Sequence, residues 1–297
     1  MNAIILSAGL GKRLRPITNV IPKPLLPIVS CPIIEINIQR LINIGVKFIG
    51  INLYYKADMI KKFLNEVPGN LCVAIEDQLR GTGGALLNFK ELLKDDLIIH
   101  NCDVLSNINL TKAINFHKLH KPFATLLLTK NMGTNFFKIN KNFQIEEFAQ
   151  KDTKNYYTYT GIAILSEKIF SFLPEKDFFS IIDVYQKLIE GKGLIMGFPT
   201  KELWYDIGFP NKYWKIHYEI LNQKVKLDEI DVNSDIYIHP SSVVRTKNLK
   251  GFISIGPNCF ISKKASLKNT IVFENSRIED GNFEKCLLSE TFCIKIK

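Results

Sequence analysis

The sequence predicts an α/β protein: a domain built on a mixed, mostly parallel sheet with helices on both faces, followed by a short parallel β-helix. Three observations predict it. Apolar runs of strand length alternate with longer helical patterns through the first 130 residues, the signature of βαβ units. Glycines and aspartates of motif character fall at the ends of the strand-like runs, where a parallel sheet places its ligands. From about Ile236 the texture changes, and Ile255, Ile261, Leu267 and Phe273 recur every six residues with turn-type residues between them. Such a period puts one inward side chain per flat face of a β-helix.

Taken in order, "AIILSA" reads as a first buried strand and "PIIEINIQRLINI" as a helix. "VKFIGINL", "LCVAIE", "LIIHNCD" and "FATLLLT" read as further strands, separated by helical "ADMIKKFLNEV", "GGALLNFKELL" and "LTKAINFHKLH". After Lys130 come the strand candidates "FFKIN", "QIEEFA" and "YTGIAIL", helical "FFSIIDVYQKLIE", turn-flanked "LWYDIGFP" and helical "NKYWKIHYEILNQK". The expected domains are 1–225 and 236–297.

The chain of 297 residues has 46% hydrophobic residues, enough for one large core and a small appendage. Its net charge of +10 comes from scattered lysines without a long basic run, which reads as a solvated surface and not as a nucleic-acid footprint. Six cysteines without a CxxC pair, a first strand that begins at the N-terminus, and no apolar run of membrane-spanning length lead to the expectation of a cytoplasmic protein with no membrane partner.

The stretch "LSAGLGKRLRPITNVIPKPLLPI" sets Gly9, Gly11, Lys12, Arg13, Arg15 and Lys23 directly after the first strand. A basic glycine loop in that place points to phosphate. It is not a P-loop, because Leu6 stands where that motif's first glycine belongs. Nor is it the dinucleotide fingerprint, since Leu14 replaces the third glycine and Asn52 ends the second strand where an acidic ribose partner would stand.

Together with "EDQLRGTGGAL", "NCD" and "WYDIGFP", this stretch resembles the sugar-1-phosphate nucleotidyltransferase family over residues 1 to about 215, and the tail resembles the left-handed hexapeptide β-helix of some members. The resemblance implies a Rossmann-like catalytic domain that takes an NTP and a sugar-1-phosphate and yields an NDP-sugar and pyrophosphate, with Mg²⁺ as cofactor. It implies catalytic roles for Arg13 and Lys23 on the phosphates and metal ligation by Asp103 and Asp206. It also implies nucleotide binding by Ala8, Gly9, Gly11, Glu76, Gly81 and Thr82, with Glu76 at the base, and sugar-phosphate binding by Lys151 and Gly161. Departures are Lys12 for the usual threonine, Gln150 before Lys151 for the usual glutamate, and Thr160 in the usual asparagine motif before Gly161.

The tail's likeness to mannose-1-phosphate guanylyltransferases favours GTP with a mannose-type or heptose-type phosphate, and a homo-oligomer assembled through the tail. Uridylyl or cytidylyl transfer, to an amino-sugar phosphate or phosphocholine, is the neighbouring alternative. An NAD-dependent oxidoreductase and a non-catalytic regulatory subunit are the alternatives of other classes. Retention of Arg13, Lys23, Asp103 and Asp206 speaks against the last. His117 and His120 lie three apart on a helical segment without further ligand residues, too few for a metal site.

Overall fold

The computed structural model describes residues 1–130, 133–151 and 153–296. The chain forms two compact units: Met1–Leu10 with Asn37–Asp206, and Gly11–Ile36 with Ile207–Lys297.

The first unit is built on a nine-stranded sheet. Its strands are β1 (Asn2–Leu6), β2 (Ile49–Leu53), β3 (Leu71–Ile75) and β4 (Leu97–Asn101), then β6 (Ala124–Thr129), β7 (Phe136–Ile139), β8 (Ile145–Ala149), β9 (Tyr157–Leu165) and β10 (Ile195–Thr200). Short β5 (Val104–Ser106) and β11 (Trp204–Asp206) pair apart from it. The order is β8-β7-β9-β4-β1-β2-β3, with β6 on β9 and β10 on β6. Ala3, Ile4 and Ile5 have no exposed surface, because β1 lies between β2 and β4 with parallel pairing on both sides. A continuous apolar run suits such a doubly covered strand.

The sheet is mixed, as expected, but its parallel character does not extend through most of its width. Parallel pairing holds across β3-β2-β1-β4 and between β10 and β6, whereas β9 runs antiparallel to β4, β6 and β7. Around β9 the connections return by other routes than a helix crossover, which parallel neighbours require. Helices α1 (Ile33–Asn43), α2 (Ala57–Leu64), α3 (Leu110–His120) and α4 (Ile181–Glu190) start and stop within a few residues of the sequence reading. The Ser180 hydroxyl accepts from Ile182 N–H and Asp183 reaches back to Ser180 N–H, a capping box that starts α4. "GTGGALLNFKELL" is different: one tight turn, Gly81–Gly84, continues as 3₁₀ helix with a kink at Phe89.

The second unit joins the opening loop, α5 (Pro210–Leu221) and the tail. Side-chain contacts hold the members of this unit together. Tyr213 of α5 donates its hydroxyl to Pro27 O at 2.5 Å and stacks on Phe273 of the tail, with ring centroids 5.8 Å apart. Trp214 donates to Asn269 O at 2.8 Å. His217 is fully buried; its Nε2 accepts from Val29 N–H while Nδ1 lies 2.9 Å from Tyr213 O. Burial lowers its pKa to about 4, so the ring stays neutral and bridges the loop to the helix.

The tail strands are β12 (Ile236–Ile238), β13 (Val243–Val244), β14 (Leu249–Ile255), β15 (Phe260–Val272), β16 (Arg277–Glu284), β17 (Cys286–Leu288) and β18 (Cys293–Lys295). Ile236 pairs with Ile253, Val243 with Phe260 and Phe260 with Arg277, all in parallel at offsets of 17 residues. Ile255, Ile261 and Leu267, the six-spaced residues, are fully buried in one apolar cluster, and Phe273 is buried beside Tyr213. A final antiparallel hairpin, β17 with β18, ends the parallel stack.

Candidate active site

In the first unit the candidate residues gather where β1, β2, β3 and β4 end. Cys102, just past β4, donates its N–H to Leu6 O at 3.1 Å, and its carbonyl accepts from the buried Asn37 amide at 3.0 Å. The backbone carrying Asp103 is therefore held on both sides. Asp206, the last residue of β11, lies opposite Val104 in the antiparallel pairing with β5. A carboxylate 103 residues distant in sequence is thereby set one position from Asp103. His100, buried in β4, has a pKa lowered to about 4, first by burial and then by the Arg40 charge, so it is neutral.

Glu76 follows β3 and is only 5% exposed. Its Oε1 accepts from Asn52 Nδ2 at 2.9 Å and Asn88 Nδ2 at 3.0 Å, and its Oε2 from Arg80 N–H at 3.3 Å. Asn52, in β2, in turn accepts the N–H of Ser7 on Oδ1 at 2.9 Å. Ser7 and Ala8 are buried, while Gly9 is exposed with open space where a Cβ would stand.

The glycines of "GTGG" have a packing reason of their own. Gly81 has φ +72°, and a Cβ there would meet the Phe179 carbonyl at 2.5 Å. Gly83 and Gly84 both donate their N–H to that carbonyl, and Phe179 N–H returns to Arg80 O. The Thr82 hydroxyl accepts from Ile181 N–H at 3.1 Å and lies beside the Ser180 hydroxyl. The segment before α4 thus straps the turn.

Gly161 sits at a register shift of β9 on β6 with φ +82°, where a Cβ would meet the Asn101 amide at 2.6 Å. Such a bulge re-aims a strand. The adjacent Thr160 carbonyl accepts the Trp204 indole N–H at 2.8 Å, tying β9 to β11. Lys151 is exposed two residues beyond β8, on the outermost strand, and is not brought to the Asp103 group by any pairing of the sheet.

In the second unit, Gly11 (φ +62°) leads into the 3₁₀ turn Lys12–Leu14, and its carbonyl accepts the Thr18 hydroxyl at 2.9 Å. Buried Leu14 anchors the turn while Arg13 stays exposed, its guanidinium 4.6 Å from the Phe209 ring centroid. Lys23 opens a second 3₁₀ turn between Pro22 and Pro24 and is half-buried. Sequence reasoning gives Phe209, Asn37 and Asn88 no role. Phe209 carries a signal as the aromatic that completes "WYDIGFP", and Asn52 carries one as the polar residue at the end of the second strand.

His117 faces Thr125, with Nδ1 2.8 Å from its hydroxyl, and His120 faces Phe116 O, so the two do not form a ligand pair. Among the described residues no group of three or more His, Cys, Asp or Glu could hold a metal, and no helix is long and apolar enough to cross a membrane.

The pattern of the family described as nucleotidyl transferase matches residues 2–223. The chain belongs to this family, and it is a sugar-1-phosphate nucleotidyltransferase. Among its relatives, a UTP–glucose-1-phosphate uridylyltransferase of Synechocystis sp. is 25% identical over 95% of this chain and 85% of its own. A putative mannose-1-phosphate guanyltransferase of Sulfolobus acidocaldarius is 27% identical over 92% of this chain and 76% of its own. HddC from Yersinia pseudotuberculosis, solved in complex with GMP-PN, shares the fold with a TM-score of 0.63 and 27% identity, covering 74% of this chain and 99% of that one. Membership sets aside the oxidoreductase alternative.

Proposed function

We propose that the chain transfers a guanylyl group from GTP to a mannose-type or heptose-type sugar-1-phosphate with the help of Mg²⁺. The observation that carries the reaction is the pairing that sets Asp206 beside Asp103. Two carboxylates without a larger ligand cluster among the described residues are the donor set of an ion that takes its remaining oxygens from phosphate and water. Asp103 and Asp206 would hold Mg²⁺, which would supply positive charge against the phosphates.

A phosphate oxygen of the sugar-1-phosphate attacks the α-phosphorus while the bond to the β-phosphate oxygen breaks, and pyrophosphate leaves with that electron pair. Arg13 and Lys23 are assigned to the leaving phosphates, where fixed cations offset the developing charge. Ala8, Gly9 and Gly11 are assigned to the nucleotide. Gly9 supports this, because no neighbour among the described residues demands a glycine there and the open space admits a ligand close to the backbone. Gly81 and Thr82 shape the nucleotide turn, and Lys151 and Gly161 are assigned to the sugar phosphate. The catalytic segment is 1–225. The tail, 236–297, is a left-handed parallel β-helix, a reading supported by the 17-residue offsets, and serves assembly. Six free cysteines fit a cytoplasmic enzyme.

Guanosine is supported by the GMP-PN complex of HddC and the name of the Sulfolobus relative. Uridylyl transfer is the second reading, favoured by the Synechocystis relative that spans most of this chain. Initial rates of pyrophosphate release for GTP, UTP, CTP and dTTP against mannose-1-phosphate, glucose-1-phosphate, N-acetylglucosamine-1-phosphate and a heptose-1-phosphate decide between them. A kcat/KM highest for UTP with glucose-1-phosphate replaces the guanylyl reading by the uridylyl one.

A further inference from the structure

The carboxylate of Glu76 is engaged by the protein itself. Three N–H groups from three separate segments converge on its two oxygens: Asn52 from β2, Asn88 from the 3₁₀ helix and the backbone of Arg80. Asn52 passes the connection on, because its other amide atom, Oδ1, accepts from Ser7 N–H. One relay therefore runs Ser7 N–H to Asn52 to Glu76 to Arg80 N–H. It joins the residue that starts the glycine loop of β1 to the residue that starts the "GTGG" turn. Asn52 is 3% and Glu76 5% exposed. A buried relay whose donors all converge on one carboxylate is rigid, and reversing one member leaves two donors or two acceptors face to face.

We propose that Asn52 and Glu76 are positioning residues that lock the two nucleotide-contacting loops to each other, so that Glu76 governs how well any NTP is held and does not select among bases. In Glu76→Gln the amide can accept from Asn52 and Asn88 only by turning its NH₂ toward Arg80 N–H. In Asn52→Asp two carboxylate oxygens meet where an N–H donated before. The double variant Asn52→Asp/Glu76→Gln exchanges donor and acceptor. The new carboxylate at position 52 accepts from Ser7 N–H and from the new amide at position 76, whose oxygen accepts from Arg80 N–H and whose second N–H is taken by Asn88 Oδ1 once the Asn88 amide turns over. Net charge is unchanged from the wild type.

The inference rests on the nucleotidyl-transfer activity, and the experiment separates the two. The measurement is kcat/KM for GTP, UTP, CTP and dTTP, with sugar phosphate saturating, in wild type, both single variants and the double variant, well below each one's Tm. Each single variant should lose about 10-fold or more for every accepted nucleotide by the same factor, as expected for misplaced loops, with KM for the sugar phosphate unmoved. The double variant should recover most of the loss. A change in the ratio between nucleotides in Glu76→Gln, with Asn52→Asp near wild type, makes Glu76 a base reader and overturns the proposal. So does a double variant no better than the worse single one. If Glu76→Gln fails to fold, Asn52→Asp and Asn88→Ala carry the same readout, and a nucleotide-dependent loss in either overturns it. A wild type inactive with all four nucleotides would sink the activity and not this relay.

Discussion

The catalytic sheet and the tail sheet both use parallel pairing, yet the polar groups at their strand ends are used differently. In the first unit β1, β2, β3 and β4 are followed by Ser7, by the Asn52 side chain at the β2 end, by Glu76, and by Cys102 with Asp103. In the tail, the turns between parallel strands are closed by short side-chain bonds: Thr246 Oγ1 to Ala265 O at 2.6 Å, Ser242 Oγ to Gly256 O at 2.7 Å, and Ser276 Oγ to Phe273 O at 2.6 Å. The difference lies in the connection that leaves each strand. A helical crossover carries the chain away and leaves the strand ends as an open row. A short turn leads at once into the next strand, and the polar side chains there are taken up by neighbouring backbone.

That contrast makes the aspartates the first place to break it. Asp103→Asn and Asp206→Asn should each lower turnover by orders of magnitude while Tm stays nearly unchanged, since the charge is needed for the ion and not for the fold. Assays across Mg²⁺ concentration, paired with thermal melts, measure both; normal turnover in both variants would remove the metal assignment. Next come the loop cations. Arg13→Ala and Lys23→Ala should each cost about 10²-fold in the forward rate and in pyrophosphate-driven reversal, the scale of one preorganised charge contact. A variant at wild-type rates in both directions marks that residue as a surface charge.

His217 sharpens the comparison through pH. Its folded pKa, about 4, lies below the ordinary 6.5, so between those values the unfolded chain binds the proton and the folded one does not. Its contribution to stability is complete above about pH 6.5 and is lost as pH falls toward about 4. Chemical denaturation between pH 4 and 7 should show a stability slope in His217→Gln shallower by close to one proton than in wild type, and an unchanged slope would mean that the histidine titrates normally. The smallest effect is expected inside the tail. Ile261→Val should cost about 0.5–1.5 kcal/mol of stability and leave kcat and its Mg²⁺ dependence alone. A kcat that drops with it would show that tail packing feeds the chemistry.

Most of the fold was legible because its evidence is periodic. A strand covered on both faces must be apolar throughout, as "NAIIL" is, and a helix must show its own period, as "IIDVYQKLIE" does. The six-residue spacing of Ile255, Ile261 and Leu267 likewise located buried positions correctly. Asp103, one residue past "LIIHNC", was legible for the same reason: a carboxylate after a buried run stands at a strand end.

Pairing across long separations was not legible. Nothing near Asp206 in the sequence states that β11 lies on β5; from sequence only family likeness joins it to Asp103, and the register of the two strands sets them side by side. The reason for the glycines of "GTGG" also lay elsewhere, in the Phe179 carbonyl about 100 residues on. Local pattern thus decided which segments are strands and helices and which residues are buried, because propensity and periodicity act over a few neighbours. Tertiary structure decided the antiparallel return of β9, the partners of Glu76 and the grouping of the opening loop with α5. Each of those depends on contacts between segments tens of residues apart or more, whose energies no local stretch of chain contains.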